Sequence, residues 1–337
     1  MRRNLAYSAL LALLLTAALA GCQREPLPER GGAISFSVAP MTISGEVTKA
    51  ATKADPSYQT DLVAEGEKVK VYGSYTGSEA PLFNGVTLTC ESVDATGSTW
   101  TYSPLKYWSE NATHKFRAVY PDNAAGQTYS VADDKLTISN YSMATGYDLM
   151  FASAQQAAAS RESDKVKLTF RHACAAVSFQ FAKAKGDSET YSVKSLTLQS
   201  ISTTGDVADD DTNPTKWTPS TTPGSYSWTG GPWAVVESTT TTPITYTAIT
   251  PEWAFAVPQT LTASSALVLT YDAGTGTNVQ HLAVTLPLVS SNTTKIETWL
   301  PGKMYTYKVL LNPNAIELSV GWTDWPTENV HSFDPIG

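Results

Sequence analysis

The sequence predicts an all-β protein, on three observations. Only 16% of the 337 residues are charged, and Thr, Ser, Tyr and Val are plentiful, which is typical of strands joined by solvated loops. Short segments of alternating apolar and polar residues recur along the chain and end at turns rich in Gly and Pro, the pattern of β-sandwiches. Helical periodicity is scarce, and the one candidate helix covers residues 153–160.

The N-terminus resembles a bacterial lipoprotein signal. Two arginines precede an apolar run over residues 9–20, which fits a signal peptide and is shorter than the ~20 residues of a spanning helix. The run closes on the sequence Leu-Ala-Gly-Cys, and this resemblance implies that residues 1–21 are removed and that Cys22 is acylated. An ordinary secretory signal with a chance cysteine is the alternative.

The segment that follows predicts a tether and then a short strand. Residues 22–33 contain prolines and glycines without a periodic pattern, which is typical of a flexible linker. Ile34, Phe36 and Val38 alternate with polar or small residues and predict a short strand with one buried face.

A stretch rich in Thr and Ala, residues 48–56, comes after this strand. It has neither the helical nor the strand period, so we expect it to be exposed and open to proteases. Lys49 and Lys53 are the candidate cleavage positions, because they are the basic residues of this stretch.

Later strands are predicted by the same alternation. They lie at residues 68–72, 86–90, 100–102, 114–120, 135–138, 166–170, 176–181, 193–198, 254–257, 267–271, 282–286, 304–311 and 316–320. A turn at residues 186–189 divides them, which predicts one domain over residues 34–185 and a second over residues 186–337, within the usual size range. Residues 203–243, rich in Thr, Pro and Gly, are expected to bury little.

Composition excludes some classes of function. The formal net charge is −8, and a chain without a basic cluster has no electrostatic footprint for nucleic acid. Besides Cys22, only Cys90 and Cys174 remain. A disulfide between them is one reading, but Cys174 lies in an apolar run, which favours two buried thiols.

No motif predicts catalysis or a cofactor. His172 precedes a strongly alternating segment and is interpreted as a sheet histidine rather than a catalytic one. Asp209, Asp211 and Asn213 carry oxygen atoms that suit calcium, but the loop fails the EF-hand pattern, so a solvated acidic loop is favoured over a metal site.

Several segments, in this order, resemble the fimbrillin family, the pilus subunits of Bacteroidales type V fimbriae. Besides the lipoprotein signal and the Thr-Lys-Ala stretch, they are ISFSV at 34–38, GEKVKVY at 66–72, YW at 107–108, FRAVY at 116–120, LTFRHA at 168–173, FAVPQ at 255–259, WLPGKMYTY at 299–307 and VGWTDW at 320–325. The resemblance implies two transthyretin-like, Greek-key β-sandwich domains, export through the periplasm as a lipoprotein to the outer membrane, and assembly by strand donation. It also implies that a trypsin-like protease removes the N-terminal segment. Family shaft subunits commonly carry arginine at the cut site, where this chain offers only lysines.

Strand donation also makes physical sense for this chain. Loss of a strand around Ile34, Phe36 and Val38 leaves an apolar groove and an unpaired edge, both unfavourable in water, and another subunit's extended segment can fill them. The candidate donor residues lie near the C-terminus and alternate, or carry large rings: Ile316, Leu318, Val320, Trp322 and Trp325. The alternative for residues 316–320 is that they complete the second domain's own sheet, which makes the tail beyond Trp325 the better donor candidate.

The predicted function is therefore a non-enzymatic, structural and adhesive subunit of a fimbrium at the cell surface. Its partners are other fimbrial subunits, the outer membrane through the lipid anchor, and a glycan or protein ligand on a host or bacterial surface. The alternative is a monomeric outer-membrane lipoprotein that binds glycans. Four tryptophans suggest that alternative because aromatic rings stack on sugars: Trp217, Trp228, Trp233 and Trp253.

Overall fold

The structure is a computed structural model that describes residues 32–38, 65–78, 80–94, 97–122, 128–132, 135–157, 165–210, 215–228, 231–248, 253–289, 296–313 and 315–324. Several residues of interest lie outside the described residues, namely Cys22, Lys49, Lys53, Asp211, Asn213 and Trp325. No helix of the described part is long and apolar enough to cross a membrane.

The described chain is built from strands, which confirms the all-β prediction. The strands are β1 Phe36–Val38, β2 Lys68–Tyr75, β3 Phe83–Asp94, β4 Gly97–Thr101, β5 Thr113–Tyr120, β6 Thr128–Ala132, β7 Lys135–Ser142, β8 Met150–Ala157, β9 Val166–Leu168, β10 Arg171–His172, β11 Ala175–Lys183, β12 Tyr191–Ile201, β13 Thr204–Asp209, β14 Lys216–Pro219, β15 Gly224–Trp228, β16 Trp233–Ala234, β17 Thr247–Ala248, β18 Ala254–Ala256, β19 Gln259–Thr260, β20 Ala266–Ala273, β21 Gln280–Pro287, β22 Thr298–Trp299, β23 Lys303–Leu311 and β24 Ile316–Asp324. Within the described ranges the only helical element is one 3-10 turn, Met143–Thr145.

The candidate helix at residues 153–160 is wrong for its described part. Residues 153–157 belong to β8, which pairs antiparallel with β5 along its whole length. The Ala- and Gln-rich composition favours helix only weakly, and pairing with a buried neighbouring strand overrides such a preference.

The N-terminal half of the chain forms a six-stranded antiparallel sheet with the order β10-β8-β5-β2-β3-β4. A separate two-stranded sheet lies beside it, in which β1 pairs with β9 in parallel. Two larger sheets come mainly from the C-terminal half, with the orders β17-β11-β23-β24 and β15-β12-β20-β21. A further, four-stranded sheet with the order β14-β13-β7-β6 combines strands from both halves.

Two clusters of buried apolar side chains lie on opposite faces of the six-stranded sheet. Alternate residues of a strand point to opposite faces, and on β5 Phe116 and Ala118 enter one cluster while Val119 enters the other. The first cluster consists of Ile34, Phe36, Val38, Val69, Val71, Phe83, Leu88, Cys90, Trp100, Trp108, Phe116, Ala118, Tyr120, Met150, Ala152, Val166, Leu168 and Phe170. The second cluster is larger and includes Tyr141, Phe151, Cys174, Phe179, Phe181, Leu196, Leu198, Val207, Trp228, Leu267, Leu269, Trp299, Tyr307, Val309 and Leu311.

The predicted boundary between two domains after residue 185 stays a prediction. In the structure β11 ends just before that point, yet it pairs in parallel with β23 and packs in the second cluster. Similarly, β7 pairs with β13 across the predicted boundary.

The stretch over residues 203–243 buries more than its composition predicts. It contributes β13 to β16, and Val207, Trp228 and Val235 are all buried in the second cluster. The reason is that the strands of this stretch pack through one face, as the alternating burial of β13 and β15 shows.

Candidate functional site

The first strand is short, yet its alternate side chains are fully buried. Ile34, Phe36 and Val38 are each at most 2% exposed, and all three belong to the first cluster. We call the surroundings of residues 32–38 the β1 groove. Burial of three apolar side chains on one face explains why this short segment forms a strand.

Phe36 lies in a pocket of three aromatic rings. Its ring centroid is 5.5 Å from that of Phe83, 5.9 Å from that of Tyr102 and 5.4 Å from that of Phe116, with interplanar angles of 85°, 74° and 89°. These are edge-to-face contacts, which aromatic pairs favour and which add to the free energy of burial. The pocket is therefore shaped for a flat ring.

Gly73 on β2 makes room for the walls of this pocket. It pairs with Phe83 on one side and Phe116 on the other. A Cβ atom at this position would lie 3.0 Å from Cδ1 of Phe116 and 3.1 Å from Cδ2 of Phe83. A larger residue would therefore displace both rings. The sequence pattern does not indicate this role of Gly73.

The backbone of the segment is held from both sides. The amide of Ile34 donates to the carbonyl of Lys106 at 2.9 Å, and the hydroxyl of Tyr102 donates to the carbonyl of Ile34 at 2.7 Å. On the other side the amide of Val166 donates to the carbonyl of Ser35 at 2.8 Å. These bonds satisfy backbone groups that burial would otherwise leave without partners.

Both ends of the segment are also fixed. The amide of Trp108 donates to the carbonyl of Gly32 at 3.3 Å. At the other end Oγ of Ser98 donates to the carbonyl of Val38 at 3.3 Å, and it accepts a 2.8 Å hydrogen bond from Nε1 of Trp100. The β1 groove thus recognises the main chain over the length of the segment.

An ionic cluster around Asp209 joins the six-stranded sheet to β13. The Asp209 carboxylate contacts Nη1 of Arg117 at 3.3 Å and also pairs with Nη2 of Arg171. The amide of Thr215 donates to the same carboxylate at 2.9 Å. The Asp209 side chain is only 1% exposed, so its charge is balanced by two guanidinium groups rather than by water.

This cluster bears on the predicted calcium ligands. Two guanidinium groups beside Asp209 disfavour a cation there, and its carboxylate oxygens already have partners. Asp211 and Asn213 lie outside the described residues, and within the described ranges no group of His, Cys, Asp and Glu is arranged to hold a metal ion. The prediction of a solvated acidic loop is wrong for Asp209, because this residue is buried.

A second buried pair joins His172 to Asp148. Nδ1 of His172 contacts Oδ2 of Asp148, and both side chains are almost completely buried. Burial raises the pKa of Asp148, and the neighbouring His172 opposes that rise by favouring the carboxylate. His172 belongs to β10, so the prediction of a sheet histidine is confirmed.

The candidate donor residues near the C-terminus lie in this chain's own sheet. β24 pairs antiparallel with β23 from Ile316 opposite Leu311 to Asp324 opposite Lys303. Leu318 and Val320, like Ile316, are half-buried against the second cluster. Trp322 is 53% exposed, and Nζ of Lys303 lies 4.8 Å from its ring centroid. The donor role of these residues stays a prediction.

The four tryptophans behind the glycan-binding alternative pack inward. Trp228 is buried in the second cluster, and Trp217, Trp233 and Trp253 are half-buried against it. Nε1 of Trp217 donates to the carbonyl of Ala173 at 2.7 Å. Their rings therefore contribute to the core, and none of the four lies on the surface as a free platform.

Both described cysteines are buried thiols, as predicted, and they lie in different clusters. Burial raises the pKa of Cys90 and of Cys174.

In a chain carrying Cys22→Ser, we expect iodoacetamide at pH 8 to modify both thiols at least ~100-fold more slowly in the native protein than in urea, because only the opened chain offers a thiolate. Mass spectrometry over time measures both rates. Rapid modification of either thiol in the native protein would contradict this packing.

Together the sheets and the β1 groove define a β-sandwich protein in which a short N-terminal segment completes the core. A family model for fimbrillin-like proteins matches residues 48–325. The chain belongs to the fimbrillin-like family.

Solved structures share the fold. A crystal structure of a fimbrial protein from Bacteroides vulgatus is 16% identical, with a TM-score of 0.59, and the match covers 87% of this chain and 99% of that one. A protein from Bacteroides uniformis assigned to cell adhesion is 18% identical, with a TM-score of 0.52, and the match covers 88% of this chain and 98% of that one. No curated protein sequence matches this chain.

Proposed function

We propose that this chain is a non-enzymatic, structural and adhesive subunit of a type V-like fimbrium. It is assembled by strand donation after proteolytic removal of its N-terminal segment. Membership of the fimbrillin-like family supports the fimbrial role. The name of the B. vulgatus relative, a fimbrial protein, points the same way.

The observation that carries the proposal is the packing of β1. The segment 32–38 fills a groove with alternate side chains and is bound through its main chain, but among the described strands β1 has β9 as its only sheet partner. Removal of such a segment exposes the apolar lining of the first cluster to water, and an extended strand from another subunit can restore both the packing and the backbone hydrogen bonds.

The donor in this proposal is the tail beyond Trp325. β24 is paired along all nine of its residues with β23, so release of Ile316, Leu318 and Val320 would uncover part of the second cluster. The tail can instead leave the subunit without breaking that sheet. Cys22 attaches the precursor to the outer membrane through acyl chains before the cut at Lys49 or Lys53.

This proposal predicts polymers that depend on both the cut and the tail. Protein cleaved after Lys53 is expected to polymerise as the full chain and to stay monomeric when the chain ends at Trp325. The thermal midpoint of the uncut monomer should be nearly the same for both chains. Size-exclusion chromatography and negative-stain electron microscopy measure the polymers, and calorimetry measures the midpoint.

Two results would count against it. Loss of folding on truncation would assign the tail to the subunit's own core. Equal polymerisation of both chains would show that the tail donates nothing. Uncut protein is the control, because its β1 groove is occupied by β1.

A further inference from the structure

The strand β9 depends on β1 for its place in a sheet. Val166 and Leu168 are at most 1% exposed and pair with Phe36 and Val38 of β1. In the described part of the chain β9 has no other strand partner. When β1 leaves, β9 therefore loses its backbone partner while its buried side chains remain in the wall of the groove.

The residues that follow β9 directly are fixed by contacts that do not involve β1. Arg171 pairs with Phe151 in the six-stranded sheet and binds the carboxylate of Asp209. His172, the next residue, pairs with Met150 and binds the carboxylate of Asp148. The amide of Ala173 then donates to the carbonyl of Leu149 at 2.7 Å.

These contacts remain after the N-terminal segment is removed. Asp209 lies on β13, and Asp148 lies two residues before the start of β8, so neither belongs to the segment that is cut away. Both carboxylates are buried, and charge-assisted hydrogen bonds in such surroundings are stronger than neutral ones. The contacts that fix the chain after β9 are therefore made by Arg171 and His172, three and four residues beyond the end of β9.

We propose that Arg171 and His172 are positioning residues that hold β9 in place while the β1 groove is empty, so that the groove stays formed for an incoming strand. This inference rests on the proposed function, since it concerns the emptied groove. It gives the Arg171–Asp209 ion pair and the His172–Asp148 contact a role that differs from general stability. An unanchored β9 would have to be ordered again by each incoming strand, and that ordering lowers affinity.

The test uses the full chain with one specific protease site placed in residues 48–56. After the cut, a fluorescent peptide with the sequence of residues 32–38 is exchanged into the groove, and its affinity is measured by anisotropy. Amide hydrogen exchange of Val166–Leu168 is followed in the same cut protein with the N-terminal fragment washed out. The variants are Arg171→Gln and, as a matched control on the same Asp209 carboxylate, Arg117→Gln on the central strand β5.

For Arg171→Gln we expect capture of the peptide to weaken at least tenfold and exchange at β9 to speed up by a similar factor. Arg117→Gln should lower the thermal midpoint and leave the peptide affinity within about twofold, because β5 is held by neighbours on both sides. Equal affinity and equal β9 exchange for Arg171→Gln and the unchanged sequence would overturn the inference. Failure of the unchanged cut protein to capture any peptide would instead count against the proposed function, while β9 exchange still decides whether Arg171 anchors the strand.

Discussion

Replacing Asp209 with Asn is expected to lower the free energy of unfolding by about 3–5 kcal/mol, the usual cost of removing one partner from a buried ion pair. The carboxylate lies between the guanidinium groups of Arg117 and Arg171 and is 1% exposed. Asn keeps the size of the side chain but removes the negative charge. The guanidinium group of Arg117, which is 7% exposed, then loses its counter-ion, whereas that of Arg171 is 35% exposed and still contacts water. Urea unfolding followed by tryptophan fluorescence measures the change.

Asp272 supplies the matched control. It also contacts two basic groups, at 2.9 Å from Nζ of Lys194 and 2.5 Å from Nδ1 of His281, but it lies on a solvated face of the β12-β20-β21 sheet. Surface ion pairs are worth little because water and salt screen them, so Asp272→Asn should leave the unfolding midpoint nearly unchanged. Equal losses for the two variants would show that burial does not set the strength of the Asp209 cluster.

The local sequence predicts strands, but it does not predict that Asp209 is buried in an ion cluster while Asp272 is solvated. Alternation of apolar and polar residues predicts β1, β5, β11 and β23. Only β1 also alternates in burial, since most residues of the other three strands are buried on both faces. Alternation could not predict the partners of Asp209, since Arg171 and Arg117 are 38 and 92 residues away. For the same reason the acidic neighbours of Asp209 in sequence predict a solvated loop, whereas Asp209 itself is buried.

The groove around β1 was predictable only in part. The side chains of Ile34, Phe36 and Val38 were predicted as one face of a strand, and they form one. The wall of the groove depends on Gly73 and Tyr102, which carry no local pattern that indicates their role. Long-range packing of this kind is set by sheet order, and the sheet order is not encoded in any single segment.

Substitution of Phe36 is also expected to lower the free energy of unfolding. Phe36→Ala in the full chain is expected to cost about 3–5 kcal/mol, as for other large aromatic side chains removed from a core, unless β1 leaves its groove first. Among the strands that the structure describes, β1 pairs only with β9, so undocking of β1 limits the loss of unfolding free energy to the amount that its docking contributes. We therefore expect β1 to detach locally while the second cluster stays folded.

Amide hydrogen exchange separates local detachment from global unfolding. In Phe36→Ala, the amide of Val166, which donates to the carbonyl of Ser35, should exchange far faster than the amides of β11 and β23. Phe179→Ala is the matched control, because Phe179 is fully buried in the second cluster and its ring stacks on Tyr307 at 5.4 Å. That variant should lose about 3–5 kcal/mol of unfolding free energy and keep β1 docked below the transition. If Phe36→Ala instead speeds exchange equally in β9, β11 and β23, then β1 is an inseparable part of the fold, and its removal could not leave a folded subunit with an open groove.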